Sequence, residues 1–479
     1  MAVLQIWKDG HCTPLSFEAP APLWELLERA GAYARRPCGG RGLCGKCAVT
    51  VTGAVSRRNA AETAAGTRLA CQAEILGDAQ VFLPAPAQEQ IQTDTGKIPL
   101  GRPMEGRIGA AVDIGTTTVV LRRYDLTTGQ LLGQAAMVDP QIATAADVMG
   151  RIDAAVHGKL DALSAQIREA VTALLLQAGG PADTAVITGN TTMLYLLTGR
   201  DPSPLAKAPF EADTLFDTLW EGAYLPPCLH AFVGADITCA VLDSGMCERA
   251  ETALLCDLGT NGELALWKDG TLFVTSTAAG PAFEGAGISC GCSSIAGAID
   301  RVWVEDGALR IHTIGEQPPV GLCGSGLIDA VAALLQTERL DETGALEDGD
   351  VVLAPGVCLQ QKDIRAVQLA KAAIAAGIAV LLETSHTDCA EIGTFYLAGG
   401  FGSRMDASNG ARIGLFPGEL TDKICVLGNG ALAGAARMLL DRESVSSARD
   451  IASRSRHVTL SGSRSFQEHY MEQLLFPEP

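Results

Sequence analysis

Residues 108–133 read IGAAVDIGTTTVVLRRYDLTTGQLLG, and residues 252–276 read TALLCDLGTNGELALWKDGTLFVTS. Each runs from an apolar strand into an Asp-x-Gly-Thr turn, then a second strand, a second turn and a third strand. The two aspartates, Asp113 and Asp257, are 257 − 113 = 144 residues apart. A repeat of that size implies two similar lobes with a site where the two turns face each other. Around them, residues 107–441 read as α/β, with helical patterns at 143–157, 160–178, 326–337, 362–384 and 428–441.

The turns have the chemistry of a phosphate site. Gly115 and Gly259 let the backbone approach phosphate oxygens, and Thr116, Thr117, Thr260 and Asn261 offer hydroxyl, amide and backbone donors. Asp113 and Asp257 would repel a bare phosphate. They make sense if they hold Mg²⁺ through its waters or orient a nucleophilic water. The chain has no G-x-x-x-x-G-K-[ST] loop, which excludes that alternative way of gripping phosphate. Downstream, FYLAGGFGSRMD (395–406) drives an apolar strand into Gly399, Gly400 and Gly402, where a base or ribose can lie against bare backbone. Gly324 and Ser325 open the helix SGLIDAVAALL, whose N-terminus favours an anion, although a Ser there serves equally as a cap. Asn190 and Asp236 sit at strand–helix turns and would either line the cleft or cap a helix; Glu263 and Glu284 would face the site or the solvent.

The amino end carries different chemistry. Four of the 15 cysteines crowd into PCGGRGLCGKC and LACQ: Cys38, Cys44, Cys47 and Cys71, with gaps of five, two and twenty-three residues. Three thiolates in a glycine-rich loop plus one distant thiolate encircle a 2Fe–2S pair, and the loop glycines let amides donate to its sulfides. The competing reading is structural zinc, which usually pairs two Cys-x-x-Cys knuckles; only one such pair, 44/47, exists here. The surrounding pattern is a hairpin about Asp9-Gly10, a short helix with Leu23, Leu26, Leu27 and Ala30 on one face, and further short strands, a grasp-like unit over 1–83. Residues 84–106, with Pro at 84, 86, 99 and 103, read as a flexible linker to an ATPase unit over 107–479.

Composition excludes several classes. The net charge of −19 repels nucleic-acid phosphates and anionic lipid heads, so neither nucleic acid nor membrane is an expected partner. No apolar run reads as a membrane span, and Lys8 and Asp9 interrupt any secretory leader, so a cytoplasmic protein is expected. Cys290, Cys292 and Cys323, in GISCGCSS and GLCGSG, lack a second four-ligand spacing and read as packing. The seven histidines show no ligand spacing. The Ser/Arg-rich start of the tail (442–479) reads as exposed, and Phe466, Tyr470, Leu474 and Leu475 as a helix face docking back on the body.

The three nucleotide motifs, in this order, resemble the acetate and sugar kinase, heat-shock ATPase and actin superfamily, whose two phosphate loops and adenosine motif (here 398–402) occur in the same order. The resemblance implies an α+β ferredoxin domain of β-grasp type joined to a two-lobed α/β actin-like ATPase, a duplicated ribonuclease H-like fold. With the ferredoxin unit attached, the whole chain resembles one family, the ATP-dependent reductive activators of corrinoid proteins. The match rests on PCGGRGLCGKC, VDIGTTT, DPQIATAADVMGRI, ITGNTTM, FVGADI, CDLGTNGE, GPAFEGAGISCG, GLCGSGLID, LAGGFG, GNGALAGA and SFQEHYMEQLLFP. The resemblance implies a 2Fe–2S cluster, ATP and Mg²⁺ as cofactors. It implies an electron from a low-potential donor such as a ferredoxin or flavoprotein, and a transiently bound corrinoid protein whose cobalt is returned from Co(II) to Co(I) for methyl transfer. Longer members carry an extra domain, associated with dimer contacts, in the interval occupied here by 84–106; a homodimer would need another route. Two alternatives stay open: an electron-donating activator of the 2-hydroxyacyl-CoA dehydratase type, and a redox-gated nucleotide-binding regulator.

Overall fold

The protein is described by a computed structural model covering residues 1–8, 10–32, 42, 47–59, 62, 67–83, 98–347, 349–399 and 405–477. The amino-terminal unit is a sheet in the order His11–Phe17, Ala2–Lys8, Glu74–Phe82, Ala48–Val55, Arg68–Leu69. Two of its inner strands, Ala2–Lys8 and Glu74–Phe82, run parallel. Alternation in AVLQIWK sends Leu4 and Ile6 to the face covered by the helix Leu23–Arg29, which buries Leu23, Leu26 and Leu27. Cys47 and Ala70 belong to the same core, so the strand ends that carry two of the candidate ligand cysteines, Cys47 and Cys71, are set by packing.

The repeat is realised over five strands, and each sheet adds one edge strand of its own. One sheet runs Thr218–Trp220, Ala223–Leu225, Thr184–Gly189, Ile108–Ile114, Thr118–Asp125, Leu131–Val138; the other runs Ile424–Gly428, Ile392–Ala398, Thr252–Leu258, Gly262–Lys268, Thr271–Thr277, Ser455–His457. In each, the Asp-bearing strand pairs antiparallel with its hairpin partner and parallel with a later strand. Both Asp-bearing strands are apolar almost throughout because each is central and covered on both faces.

The lobes meet through helices Ala235–Ser244 and Gly430–Leu440. A Cβ on Gly434 would lie 2.0 Å from the Cys239 carbonyl oxygen, so glycine is what lets the helices touch. The core they seal draws Tyr124, Val186 and Ile237 from one lobe and Leu255, Trp267 and Leu432 from the other. His230 and His457 also stack between the lobes, with ring centroids 3.5 Å apart.

Three expectations change. The start of the tail is not exposed: helix Ser444–Ser453 buries Ala448 and Ile451, and Ser455–His457 completes the second sheet. Phe466 and Tyr470 dock as expected, and Phe476 is buried beside Lys371, whose ammonium donates to the Leu475 carbonyl. Helix Gln361–Thr384 is long and apolar enough to cross a membrane, with mean hydropathy 1.7, but 72% of that stretch is buried as a core helix. Residues 98–106 are not a free linker. Gly101 and Met104 amides donate to the Leu440 and Leu439 carbonyls (3.2 and 3.0 Å), because Ile98 and Met104 have an apolar surface to cover. Residues 84–97 lie outside the described residues.

Candidate functional site

A cavity of about 260 Å³ lies between the lobes. Asp113, Gly115, Thr116 and Thr117 line it from one turn, and Asp257, Gly259, Thr260 and Asn261 from the other. Each turn is closed by a backbone hydrogen bond, Gly115 N to Thr118 O (2.9 Å) and Gly259 N to Asn261 O (3.1 Å). Gly324 and Gly399 also line the cavity. Gly399 has φ +95°, and a Cβ there would lie 2.8 Å from Asp257 Oδ1, so the third motif packs directly on the second turn. Ser325 does not reach the cavity: it is buried one residue into helix Gly324–Gln336, and its hydroxyl donates to the Asp300 carbonyl at 2.9 Å. Gly400 and Gly402 lie outside the described residues.

The residues left open resolve toward the cleft. Asp236, Glu263 and Glu284 all line it, as does Asn429, which was not singled out. Asn190 does both jobs: its Oδ1 caps helix Thr191–Thr198 at Met193 N, and its Nδ2 donates to Thr116 Oγ1 at 3.1 Å. Asn429 repeats the device, capping Gly430–Leu440 at Leu432 N and donating to Asp113 Oδ2 at 3.0 Å. Under the first turn, fully buried Arg151 pairs with Asp139 at 2.9 Å and donates to the Thr116 carbonyl. The DPQIATAADVMGRI stretch therefore serves as the platform of the first loop. Cys292 lines the cavity, while Cys290 and Cys323 belong to the packing around it.

Among the described residues, five carboxylates and no Lys or Arg line this space. Burial is the leading reason that the Asp113 carboxyl rises to about 6, against the Asn429 hydrogen bond. Burial, then repulsion from Asp113 and Glu284, takes Asp257 to about 7. Burial, then Asp113 and Asp257, takes Asp236 to about 8, and Glu263 is pushed well above its ordinary range. Such crowding favours a divalent cation, which would restore the charged forms. Among the described residues no three His, Cys, Asp or Glu side chains converge on one ion. The donor set therefore fits Mg²⁺ held through its own waters and by a nucleotide's phosphates.

In the amino-terminal unit, Cys47 Sγ and Cys71 Sγ lie 3.3 Å apart. Two thiolates about 2.3 Å from one tetrahedral metal would sit about 3.7 Å apart, so this pair fits a shared iron. Hydrogen bonding with Cys47 draws the Cys71 thiol down to about 6 against the effect of burial, with help from Gln72. A buried Arg68–Glu62 pair (2.8 Å) ties the strand ahead of Cys71 in place, and Leu69 N donates to the same Glu62 carboxylate. Cys38 and Cys44 lie outside the described residues.

Residues 11–76 match the 2Fe-2S iron-sulfur cluster binding domain, residues 108–249 the RACo middle region, and residues 251–479 the C-terminal ASKHA domain of RACo. The corrinoid activation enzyme RamQ of Eubacterium limosum is 34% identical over 419 residues, spanning 77% of this chain and 70% of that one. This chain belongs to the RACo family. A second member, the [Co(II) methylated amine-specific corrinoid protein] reductase of Methanosarcina barkeri, is 26% identical over 416 residues, 77% of each chain. Among solved structures, a reductive activator for a corrinoid, iron-sulfur protein superposes with TM-score 0.71 at 26% identity, over 99% of this chain and 98% of that one. The RACo middle region carries the first turn and the RACo C-terminal domain the second, so the cleft lies between two family domains.

Proposed function

We propose that this RACo-family protein is an ATP-hydrolysing reductase. It takes one electron from a low-potential ferredoxin or flavoprotein and delivers it to the Co(II) form of a corrinoid protein, giving Co(I) for methyl transfer. What carries the reading is that one chain joins a paired-thiol ferredoxin unit to a cleft whose facing walls repeat the same Asp-Gly-Thr turn. Held by Cys38, Cys44, Cys47 and Cys71, a 2Fe–2S cluster supplies a one-electron carrier.

The chain's residues divide the rest of the work. Thr116, Thr117, Thr260, Asn261 and the turn amides bind phosphate oxygens, and bare backbone at Gly399 leaves room for the nucleoside. Asp113, Asp236 and Asp257, which all line the cleft, are the groups that would hold Mg²⁺ through water, and Asp257 would orient the attacking water. Plant-type clusters sit near about −400 mV, and forming Co(I) in an unassisted corrinoid site is harder than that. The uphill transfer needs two conformations with different affinity for nucleotide and partner, and closure of the lobes supplies them.

The test is optical and anaerobic: protein, reductant, Mg-ATP and candidate Co(II) corrinoid proteins, followed by Co(I) absorbance. ATP-dependent conversion of at least one partner is expected; none across the corrinoid proteins tried would sink the reading. Cys71→Ala should abolish the iron–sulfur absorbance and all Co(I) formation. It should leave nucleotide affinity within about twofold, because the two sites share no side chain.

A further inference from the structure

Glu284 occupies a position that the nucleotide reading alone does not explain. It ends the turn Pro281–Glu284, which is bracketed by Gly280 (φ +77°) and Gly285 (φ +73°). A Cβ on Gly285 would lie 2.5 Å from the Cys292 carbonyl oxygen, and Phe283 is buried in the core of the second lobe. The turn's backbone is thus pinned, and the Glu284 side chain projects from it into the cleft. One carboxylate oxygen accepts Thr117 Oγ1 at 2.7 Å, and the other accepts Thr260 Oγ1 at 2.9 Å. These hydroxyls come from the two opposing turns, one on each lobe.

We propose that Glu284 is a positioning residue that stands in for a phosphate group in the ligand-free cleft, tying the two loops together until an incoming nucleotide takes both hydroxyls. The inference rests on the nucleotide reading above and adds a residue role to it. A carboxylate and a phosphate are both anionic acceptors, and a Thr hydroxyl has one proton to give. They cannot be served together, and like charges in this desolvated space cannot remain side by side. Because Phe283 holds the turn, rotation of the Glu284 side chain is enough to release the donors. The first lobe then loses its tie to Glu284 at the mouth of the cleft and is gripped by the ligand instead. In the ligand-free protein Glu284 prevents the loops from drifting apart, and during binding it competes with the ligand.

Calorimetric titration of the full-length holoprotein with Mg-AMPPNP tests this. Glu284→Gln keeps the shape and removes the charge, and should tighten binding about tenfold by removing a charged competitor. Glu284→Ala should move affinity in the same direction. On a Thr117→Val background, where the carboxylate has lost its tie to the first lobe, the gain from Glu284→Gln should shrink to less than about threefold. A purely structural Glu284 would not produce that coupling. Unchanged or weaker binding in folded Glu284→Gln, or the full gain persisting with Thr117→Val, overturns the proposal while leaving the nucleotide reading intact. If neither wild type nor the Glu284 variants bind Mg-AMPPNP, the nucleotide reading fails and this inference falls with it.

Discussion

The turn after strand Ile108–Ile114 and the turn after strand Thr252–Leu258 sit on the same five-strand plan, yet they are held by different means. The first is braced by polar side chains from elsewhere: Asn190 on Thr116, Asn429 on Asp113, and buried Arg151 on the Thr116 carbonyl. The second is braced by bare backbone at Gly399 and surrounded by acid. Asp257 is repelled by Asp113 and Glu284, and in turn pushes on Asp236 and Glu263. Duplication copied the shape of the loop, while its chemistry was set by what each lobe packed around it. Asp113 has a neutral donor that supports its ionised form, whereas Asp257 has carboxylates that a cation must neutralise.

The largest expected effect breaks that asymmetry at its centre. Asp257→Asn should lower ATP turnover by at least about 100-fold, the scale on which a preorganised electrostatic group acts. Asp113→Asn should cost less, because the Asn429 amide already braces Asp113 whereas Asp257 stands against carboxylates. Steady-state phosphate release with the iron–sulfur spectrum as a control decides it, and equal losses would erase the distinction between the turns. Next comes the joint between the lobes. Gly434→Val puts side-chain atoms into the Cys239 carbonyl, 2.0 Å from the first of them, and should cost about 3 kcal/mol as the helices are forced apart. Calorimetry should then show the lobes melting less cooperatively; an unchanged single transition would mean that the helix contact is not what joins them.

What the sequence made legible follows the same division. The turns were readable because glycine, threonine and aspartate recur at one spacing; the cysteines at 38, 44, 47 and 71 stood out because their gaps fit one cofactor, and of these the structure describes Cys47 and Cys71, side by side. Asp236 stayed open between lining the cleft and capping a helix, Glu263 between site and solvent, and Asn429, beside a helix start, was not singled out, because only the lobe packing decides whether such a group faces the cleft or serves as a cap. Asn429 does both. Ser325 misled for the complementary reason: helix periodicity locates the end of the helix but does not say which way its second residue faces. The polar tail hid helix Ser444–Ser453 because its buried face is built mainly from Ala448 and Ile451, too little apolar surface to announce itself.

Carboxyl pKa values are raised on both walls of the cleft. The carboxyls of Asp113, Asp257 and Asp236 are raised to about 6, 7 and 8. A raised carboxyl contributes stability in full below its unfolded value near 4, and loses it as pH rises through the folded value. The ligand-free protein should therefore lose several kcal/mol of stability between pH 5 and pH 8, read from denaturant midpoints. Mg-nucleotide should stabilise more strongly at pH 8 than at pH 6, because cation binding displaces the protons. A ligand-free stability that is flat over this range would mean that the carboxylates are neutralised by some other group.

The smallest effect isolates the one neutral donor on Asp113. Asn429→Ala removes both the Leu432 cap and the bond to Asp113, and should cost about 1 kcal/mol. Asn429→Asp restores a cap of similar quality while presenting a carboxylate to Asp113. If the cap is all that matters, the Asp variant matches wild type at every pH. If the bond to Asp113 matters as well, it matches wild type only near pH 5, where Asp113 is protonated, and weakens as Asp113 ionises, with Mg²⁺ restoring it. That second outcome is expected, because the first turn differs from the second chiefly in having this amide where the other has acid.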